Sequence, residues 1–393
     1  MATQYTILKG DCRDKLKELP DNSVDSIVTD PPYGLSKEPD IFEVLTKWMN
    51  GEPYDHGHGG FMGKTWDSFV PHPDIWREVY RVLKPGGHSL VFAGTRTQDL
   101  MTIALRLAGF EVRDVIEWLY FSGFPKSMDV SKAFDRRAGV EREVIGQKWA
   151  ERYPNGPGGN SFTVGGEVDG TRTAANTLLT APATELAKKW GGWGTALKPA
   201  HEPIIVVRKP LEGTVCDNVE RWGTGAINVD GCRIGDGYDR ASGGLRKAKH
   251  AENEPSFSLA MNQDKRPMGG RFPANIVTTE SDAFWSKYCD VTATQGNVTP
   301  QELSKKASKR DRNSDWRGEE IASQNSHPTV KPTELMAWLV SLVTPPGGTV
   351  LDPFAGSGST LVAAKREGFG FIGIEREPEY VEIIEVRTGE VAN

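Results

Sequence analysis

The run Asp30-Pro-Pro-Tyr33 puts an acid, two prolines and an aromatic ring side by side. Those residue types meet the needs of one reaction. The exocyclic amine of a nucleobase is a poor nucleophile while its lone pair is delocalised into the ring. A carboxylate and a backbone carbonyl, each accepting one amine hydrogen, turn that nitrogen toward a tetrahedral form and aim the lone pair at an electrophile. Asp30 and the carbonyl of Pro31 suit this task, because the prolines stiffen the backbone and have no N–H to donate. Tyr33 supplies a face on which the base stacks. The same residues also describe a capped, proline-stiffened loop with a structural tyrosine.

A second run, Phe354-Ala-Gly-Ser-Gly358, lies between a strand-like Thr349 to Asp352 and a helix over Thr360 to Arg366. Glycines there let the chain turn tightly and let a nucleotide-like ligand approach the helix amides. An acid about 20 residues on, at the end of the next strand, takes ribose hydroxyls in such folds. Glu375 closes the strand-like Phe369 to Ile374 at about that distance. The loop departs from the dinucleotide form G-x-G-x-x-G, since Leu361 stands at the third glycine, and it lacks the G-K-[ST] of a P-loop. A plain strand-to-helix turn has the same spacing.

The elements that must position these loops alternate. YTIL (5 to 8) runs into a short helix over CRDKLKEL capped by Asp11, and Val24 to Thr29 is a strand that ends at Asp30. Ile75, Val79, Val82 and Leu83 have helical spacing, and Lys84-Pro-Gly-Gly87 stops it. A strand over Ser89 to Ala93 follows, then a helix marked by Leu100, Ile103, Ala104 and Leu107, then one or two strands over Val112 to Phe121. That rhythm is a parallel α/β sheet. It breaks after about residue 125 into Gly-, Thr- and Arg/Lys-rich stretches in which only PIIVV (203 to 207) and the surroundings of Ile276 read as strands. So long and tryptophan-bearing a region is no linker, and it reads as a loop-rich insertion. Helical spacing returns at Leu335, Met336, Leu339 and Leu342. The two ends of the chain are therefore expected to build one sheet.

With 393 residues, the chain has room for two or three domains, or for one fold with a large insertion. Hydrophobic residues make up 37%, and the 43 glycines bring the total into the range of a globular protein, which excludes disorder throughout. No run approaches the ~18 apolar residues of a membrane helix, and the start lacks the order of a signal peptide, so a cytoplasmic location is expected. The cysteines Cys12, Cys216, Cys232 and Cys289 are too scattered for a zinc ribbon, and no metal site is expected. A net charge of −6 excludes polyanion binding by bulk charge but leaves room for a local basic groove.

DPPYG at 30 to 34, with HPTVKP at 327 to 332 ahead of DPFAGSGS at 352 to 359, resembles the S-adenosylmethionine-dependent amino-methyltransferases of DNA in their circularly permuted β arrangement. The resemblance implies a Rossmann-like sheet split into a catalytic part (1 to 125) and a cofactor part (327 to 393), with a target-recognition domain inserted between them (126 to 326). It implies catalytic roles for Asp30, Pro31, Pro32 and Tyr33. It further implies that Phe354, Ala355, Gly356, Ser357 and Gly358 wrap S-adenosylmethionine, that Asp352 opens that loop, and that Glu375 binds the ribose. By the same resemblance Asp11 and Cys12 border the adenine of the cofactor, and Lys331, Thr329 and His327 face its carboxylate. A helix-capping or buried structural role remains open for the histidine.

A base within a duplex cannot reach such a loop, so it must be flipped out, which calls for a second stacking partner and a groove for the strand. Trp118 and Tyr120 share one face of their strand and stand where the family places such an aromatic, with core packing as the alternative. Arg246, Lys247 and Lys249 are candidates for phosphate contact, as is the run Lys305 to Arg312, with a solvated surface as the alternative. His56-Gly-His58 reads as a loop that could close over the base. The implied partner is double-stranded DNA, the chain being a monomer or homodimer, with a cognate restriction enzyme left open. The implied reaction is methylation of adenine N6, because Asp opens this loop more often in the adenine enzymes. Methylation of cytosine N4 uses the same geometry, and a binding module that has lost catalysis is the remaining alternative.

Overall fold

The computed structural model describes residues 4–35, 38–57, 68–120, 127–147, 178–233, 273–278, 301–302, 307–321 and 325–392. Its strands are β1 (Tyr5–Lys9), β2 (Val24–Thr29), β3 (Leu83–Phe92), β4 (Glu111–Leu119), β5 (Val144–Gln147), β6 (Leu178–Thr180), β7 (His201–Arg208), β8 (Ile276–Thr278), β9 (Gln301–Glu302), β10 (Thr349–Asp352) and β11 (Gly370–Glu375). Nine of them form one sheet in the order β1-β11-β10-β2-β3-β7-β4-β8-β9. From β1 to β3 every pairing is parallel, and β7 runs antiparallel to both β3 and β4. This is a Rossmann-like α/β fold.

Strands buried on both faces alternate their side chains between two cores. Val28, Leu90 and Phe92 face a core with Leu335, Leu339, Leu361 and Ile384. Ile27 and Val91 face the other, with Trp76, Val79, Leu100 and Ala104. Helix Pro73–Val82 starts where the His72 ring accepts a hydrogen bond from the Asp74 amide and Pro73 fills the first turn. Helix Gln98–Leu107 lies where the spacing predicts, but buries Leu100, Met101, Ala104 and Leu105 and exposes Leu107, a face rotated by one residue.

Lys84-Pro-Gly-Gly87 ends the preceding helix as expected, yet it is already part of β3. Gly86 adopts φ +74°, and its N–H is bonded to the Lys209 and Pro210 carbonyls, so this stretch is anchored to the strand beside it. A Cβ on Gly86 would lie 2.3 Å from the Asn218 side chain, which leaves glycine as the residue that fits.

The division of the chain differs from the expected one. One compact unit comprises residues 1–121 and 201–393, and the other 122–200. The stretch PIIVV is not an isolated strand of the insertion but the middle of β7, which bridges β3 and β4 in the main sheet. Its apolar run is buried on both faces, and an antiparallel partner arriving from a distant part of the chain leaves no periodic mark. Considered alone, the unit 122–200 holds helices Val130–Ala138 and Glu185–Lys189 and the β5–β6 pair. They gather around the buried Asp135, whose carboxylate accepts from Arg142, from the Thr184 hydroxyl and from the amides of Ala183 and Thr184. Trp190 and Trp193 meet edge to face at 5.1 Å in the same unit. Among the described residues no helix is long and apolar enough to cross a membrane.

Candidate active site

Strands β2 and β10 are parallel neighbours, so their carboxyl ends deliver Asp30-Pro-Pro-Tyr33 and Phe354-Ala-Gly-Ser-Gly358 to the same edge of the sheet. Ligands of open α/β sheets bind at that edge. Asp352 ties the two loops together. Its Oδ1 accepts from the Thr29 hydroxyl at 2.6 Å and from the Phe354 amide at 3.1 Å, and its Oδ2 accepts from the Thr360 hydroxyl at 2.6 Å. Burial lifts its carboxyl to about 6 against the pull of those donors. Asp352 is thus engaged within the protein as a brace at the opening of the loop.

The amine end of the site is built on Asp30. Its Oδ2 accepts from the Lys331 ammonium at 2.5 Å, while its Oδ1 is buried with no hydrogen-bond partner. Burial raises the Asp30 carboxyl above its ordinary range, the Lys331 cation opposes that rise, and the nearby Glu202 adds to it. Pro31 is buried and Pro32 partly so. The Tyr33 carbonyl accepts from Thr97 Oγ1 at 2.6 Å, and Gly34, at φ +64°, leaves no room for a side chain against Phe69 and Val70. These contacts hold the loop's course. The Tyr33 hydroxyl donates to Glu202 Oε2 at 3.1 Å, and Lys331 lies 3.3 Å from the same oxygen. Lys331 was expected to face the carboxylate of the cofactor. Its ammonium is shared between Asp30 and Glu202 and lies over the rings of Tyr33 and Phe92.

The other loop is a backbone cradle. Gly356 and Gly358 adopt φ +54° and +81°, conformations that favour glycine, and a Cβ on Gly356 would lie 2.9 Å from His327 Nε2. Glu375 at the end of β11 accepts from the Gly356 amide and from the Glu377 amide, each at 2.8 Å. Burial lifts its carboxyl to about 7. Phe354 packs on Trp76, Ala355 is buried, and the Ser357 carbonyl accepts from Arg387 inside the core. The His327 ring stands edge-on to Tyr380 and accepts from the exposed Thr329 amide.

Because β1 pairs with β11 up to Lys9 and Glu375, Asp11 and Cys12 emerge beside Glu375. Asp11 caps the helix that follows, as its position predicts, and the Arg13 side chain holds its carboxyl below the usual range. Burial pushes the Cys12 thiol up to about 12, so it remains protonated. A glycine cradle, an acid fixed by two amides and flanking groups from β1 fit the nucleoside and amino-acid parts of S-adenosylmethionine.

The aromatic candidates are buried. Trp118 and Tyr120 are 2% and 5% exposed and pack on each other, with Trp118 edge-on to Phe92. They are core residues here, which is the core-packing alternative of the sequence reading. An aromatic at a strand end has one sequence pattern whether its face is covered or bare, and this one belongs to the core that holds Leu335 and Leu339. Arg246, Lys247 and Lys249 lie outside the described residues. So does His58, whereas His56 is buried against Phe69. Sequence reasoning missed Glu202. It stands just ahead of PIIVV, and only the pairing of β7 with β4, which sets Glu202 opposite Trp118, brings it to the catalytic loop.

A family model described as DNA methylase, N6_N4_Mtase, matches residues 24–386. Over 390 residues the chain is 24% identical to the Type II methyltransferase M.HindIII of Haemophilus influenzae, covering 94% of this chain and 90% of that protein. Among solved structures, the cytosine-N4-specific PvuII DNA methyltransferase aligns over 98% of this chain and 87% of its own, at 14% identity and a TM-score of 0.45. The complex of M1.HpyAVI with SAM aligns over 98% of this chain and 100% of its own, at 14% identity and a TM-score of 0.39. Matched along most of its length, the chain belongs to the N6-adenine/N4-cytosine family of S-adenosylmethionine-dependent DNA methylases.

Proposed function

We propose that this protein methylates N6 of adenine in double-stranded DNA after drawing the base out of the helix. The observation that carries the reading is the buried Oδ1 of Asp30, which has no hydrogen-bond partner while Oδ2 accepts from Lys331. A buried acceptor left unsatisfied is costly, and an incoming amine hydrogen relieves that cost. Asp30 Oδ1 and the Pro31 carbonyl take the two amine hydrogens, and Tyr33 stacks on the base. Bound S-adenosylmethionine supplies an electrophilic methyl group on a sulfonium. Gly356, Gly358 and Glu375, with Asp11 and Cys12 alongside, would hold it.

The preference for adenine rests on Asp as the first residue of the loop, where the related N4-cytosine enzymes more often carry Ser. The order of the two loops along the chain supports the permuted β arrangement. Target recognition falls to the insertion, about 126 to 326, from which β7, β8 and β9 join the main sheet. A monomer or homodimer located in the cytoplasm, with or without a cognate restriction enzyme, fits this reading. Nucleoside mass spectrometry on DNA from cells expressing the chain is expected to show N6-methyladenine. N4-methylcytosine alone would transfer the function to cytosine.

A further inference from the structure

Glu202 makes contacts that amine orientation by Asp30 and Tyr33 does not by itself require. One of its oxygens receives both the Tyr33 hydroxyl and the Lys331 ammonium, at 3.1 and 3.3 Å. A second carboxylate so close to Asp30 works against keeping Asp30 ionised unless a cation lies between them. Lys331 is that cation, 8% exposed and 2.5 Å from Asp30 Oδ2. An ammonium has three directed protons and no acceptor. With one proton aimed at Glu202, the direction of another toward Asp30 is constrained, and so is the oxygen of Asp30 that it occupies.

We propose that Glu202 and Lys331 act as one positioning unit in methyl transfer. Glu202 holds the Tyr33 hydroxyl and the Lys331 ammonium, and Lys331 occupies Oδ2 of Asp30, so that the carboxylate presents Oδ1 alone to the exocyclic amine. The proposal rests on the reading of this site as an amino-methyltransferase centre. It gives the antiparallel β7 strand a part in the reaction, because β7 carries Glu202 to the two loops. The groups facing Asp30 are Lys331 from the HPTVKP segment, Glu202 from β7, Tyr33 from its own loop and Asp352 from β10.

The test uses the full-length chain, unmethylated plasmid DNA and radiolabelled S-adenosylmethionine. Glu202→Gln is expected to lower kcat about tenfold or more, while the KM for DNA and the calorimetric Kd for S-adenosylmethionine stay within about twofold of the parent. Lys331→Met is expected to move the acid limb of the kcat profile to higher pH, because Asp30 loses its cation and protonates sooner. The double variant is expected to lose no more than Lys331→Met alone, since the two residues work in series. Losses that multiply, or a Glu202→Gln enzyme with parental kcat, would overturn the proposal while leaving the function standing. A parent chain with no methyl transfer at all would defeat the functional reading, and this proposal with it. Glu202→Asp, which keeps the charge but shortens the reach, is expected to behave like Glu202→Gln and serves if that variant does not fold. Parental kcat in Glu202→Asp likewise overturns the proposal.

Discussion

At the level of single residues the site pairs two acids in different states. Asp30 keeps one oxygen on Lys331 and one unpartnered, whereas both oxygens of Glu375 accept amides, and its carboxyl is lifted to about 7. Replacing Asp30 by alanine removes one of two acceptors for the amine, and positioning effects of this type are worth several kcal/mol. Turnover is expected to fall by about a hundredfold or more in a single-turnover assay, with cofactor affinity retained; turnover near the parental rate would end the amine-orienting role. Glu375 makes a prediction in pH. A carboxylate that accepts ribose hydroxyls must be ionised, and below about 7 this one is protonated in the free protein. Affinity for S-adenosylmethionine should therefore weaken as pH falls through 7 and level off above it, while Glu375→Gln should bind more weakly with a flat profile. Calorimetry across that window decides, and a flat profile in the parent would detach Glu375 from the ligand. Asp30, Tyr33 and Glu375 were legible in the sequence because their surroundings are local: two prolines, a strand end, a loop of fixed spacing. Glu202 and the bracing role of Asp352 were not, since each depends on partners that only strand pairing supplies.

The elements carry the same distinction between local and distant causes. The glycine cradle is set by the chain itself: Gly356 stands at φ +54° with His327 within 2.9 Å of where its Cβ would lie. Gly356→Leu combines backbone strain with a collision in the cradle. It is expected to abolish S-adenosylmethionine binding by calorimetry while the unit 122–200, which has its own contacts, stays folded. Unchanged binding would remove this loop from the cofactor site. Helix Thr333–Val343 and strands β10 and β11 likewise follow from residues near at hand, and each lies where the sequence pattern puts it. β7 is the counterexample. Its five buried residues PIIVV mark a strand, but no feature of them says that it would run backward between β3 and β4. The return of the chain to the main unit at 201, ahead of the expected 327, follows from that pairing.

On the scale of the whole molecule, a net charge of −6 means that phosphate contacts must be concentrated locally. If Arg246, Lys247 and Lys249 supply them, neutralising all three should weaken binding to every DNA sequence alike. It should also flatten the plot of log K against log salt by about 0.9 per lost phosphate contact, without touching cofactor affinity. Binding titrations at several salt concentrations measure this, and an unchanged slope would shift attention to Lys305 to Arg312 or to the loops around Trp190 and Trp193. The strand order has a consequence for how the protein is made. Tyr5 pairs with Phe371, and β10 and β11 lie between β1 and β2. On the ribosome β1 is made long before its one neighbour in the sheet among the described residues, β11. Until then β1, and the edge of β2 that β10 takes, have no partner from that part of the chain, and pairing between such distant segments is slow. Nascent chains of this protein therefore have to keep β1 soluble until β11 is made, and a chain cut short of Gly370 loses the partner that β1 has among the described residues.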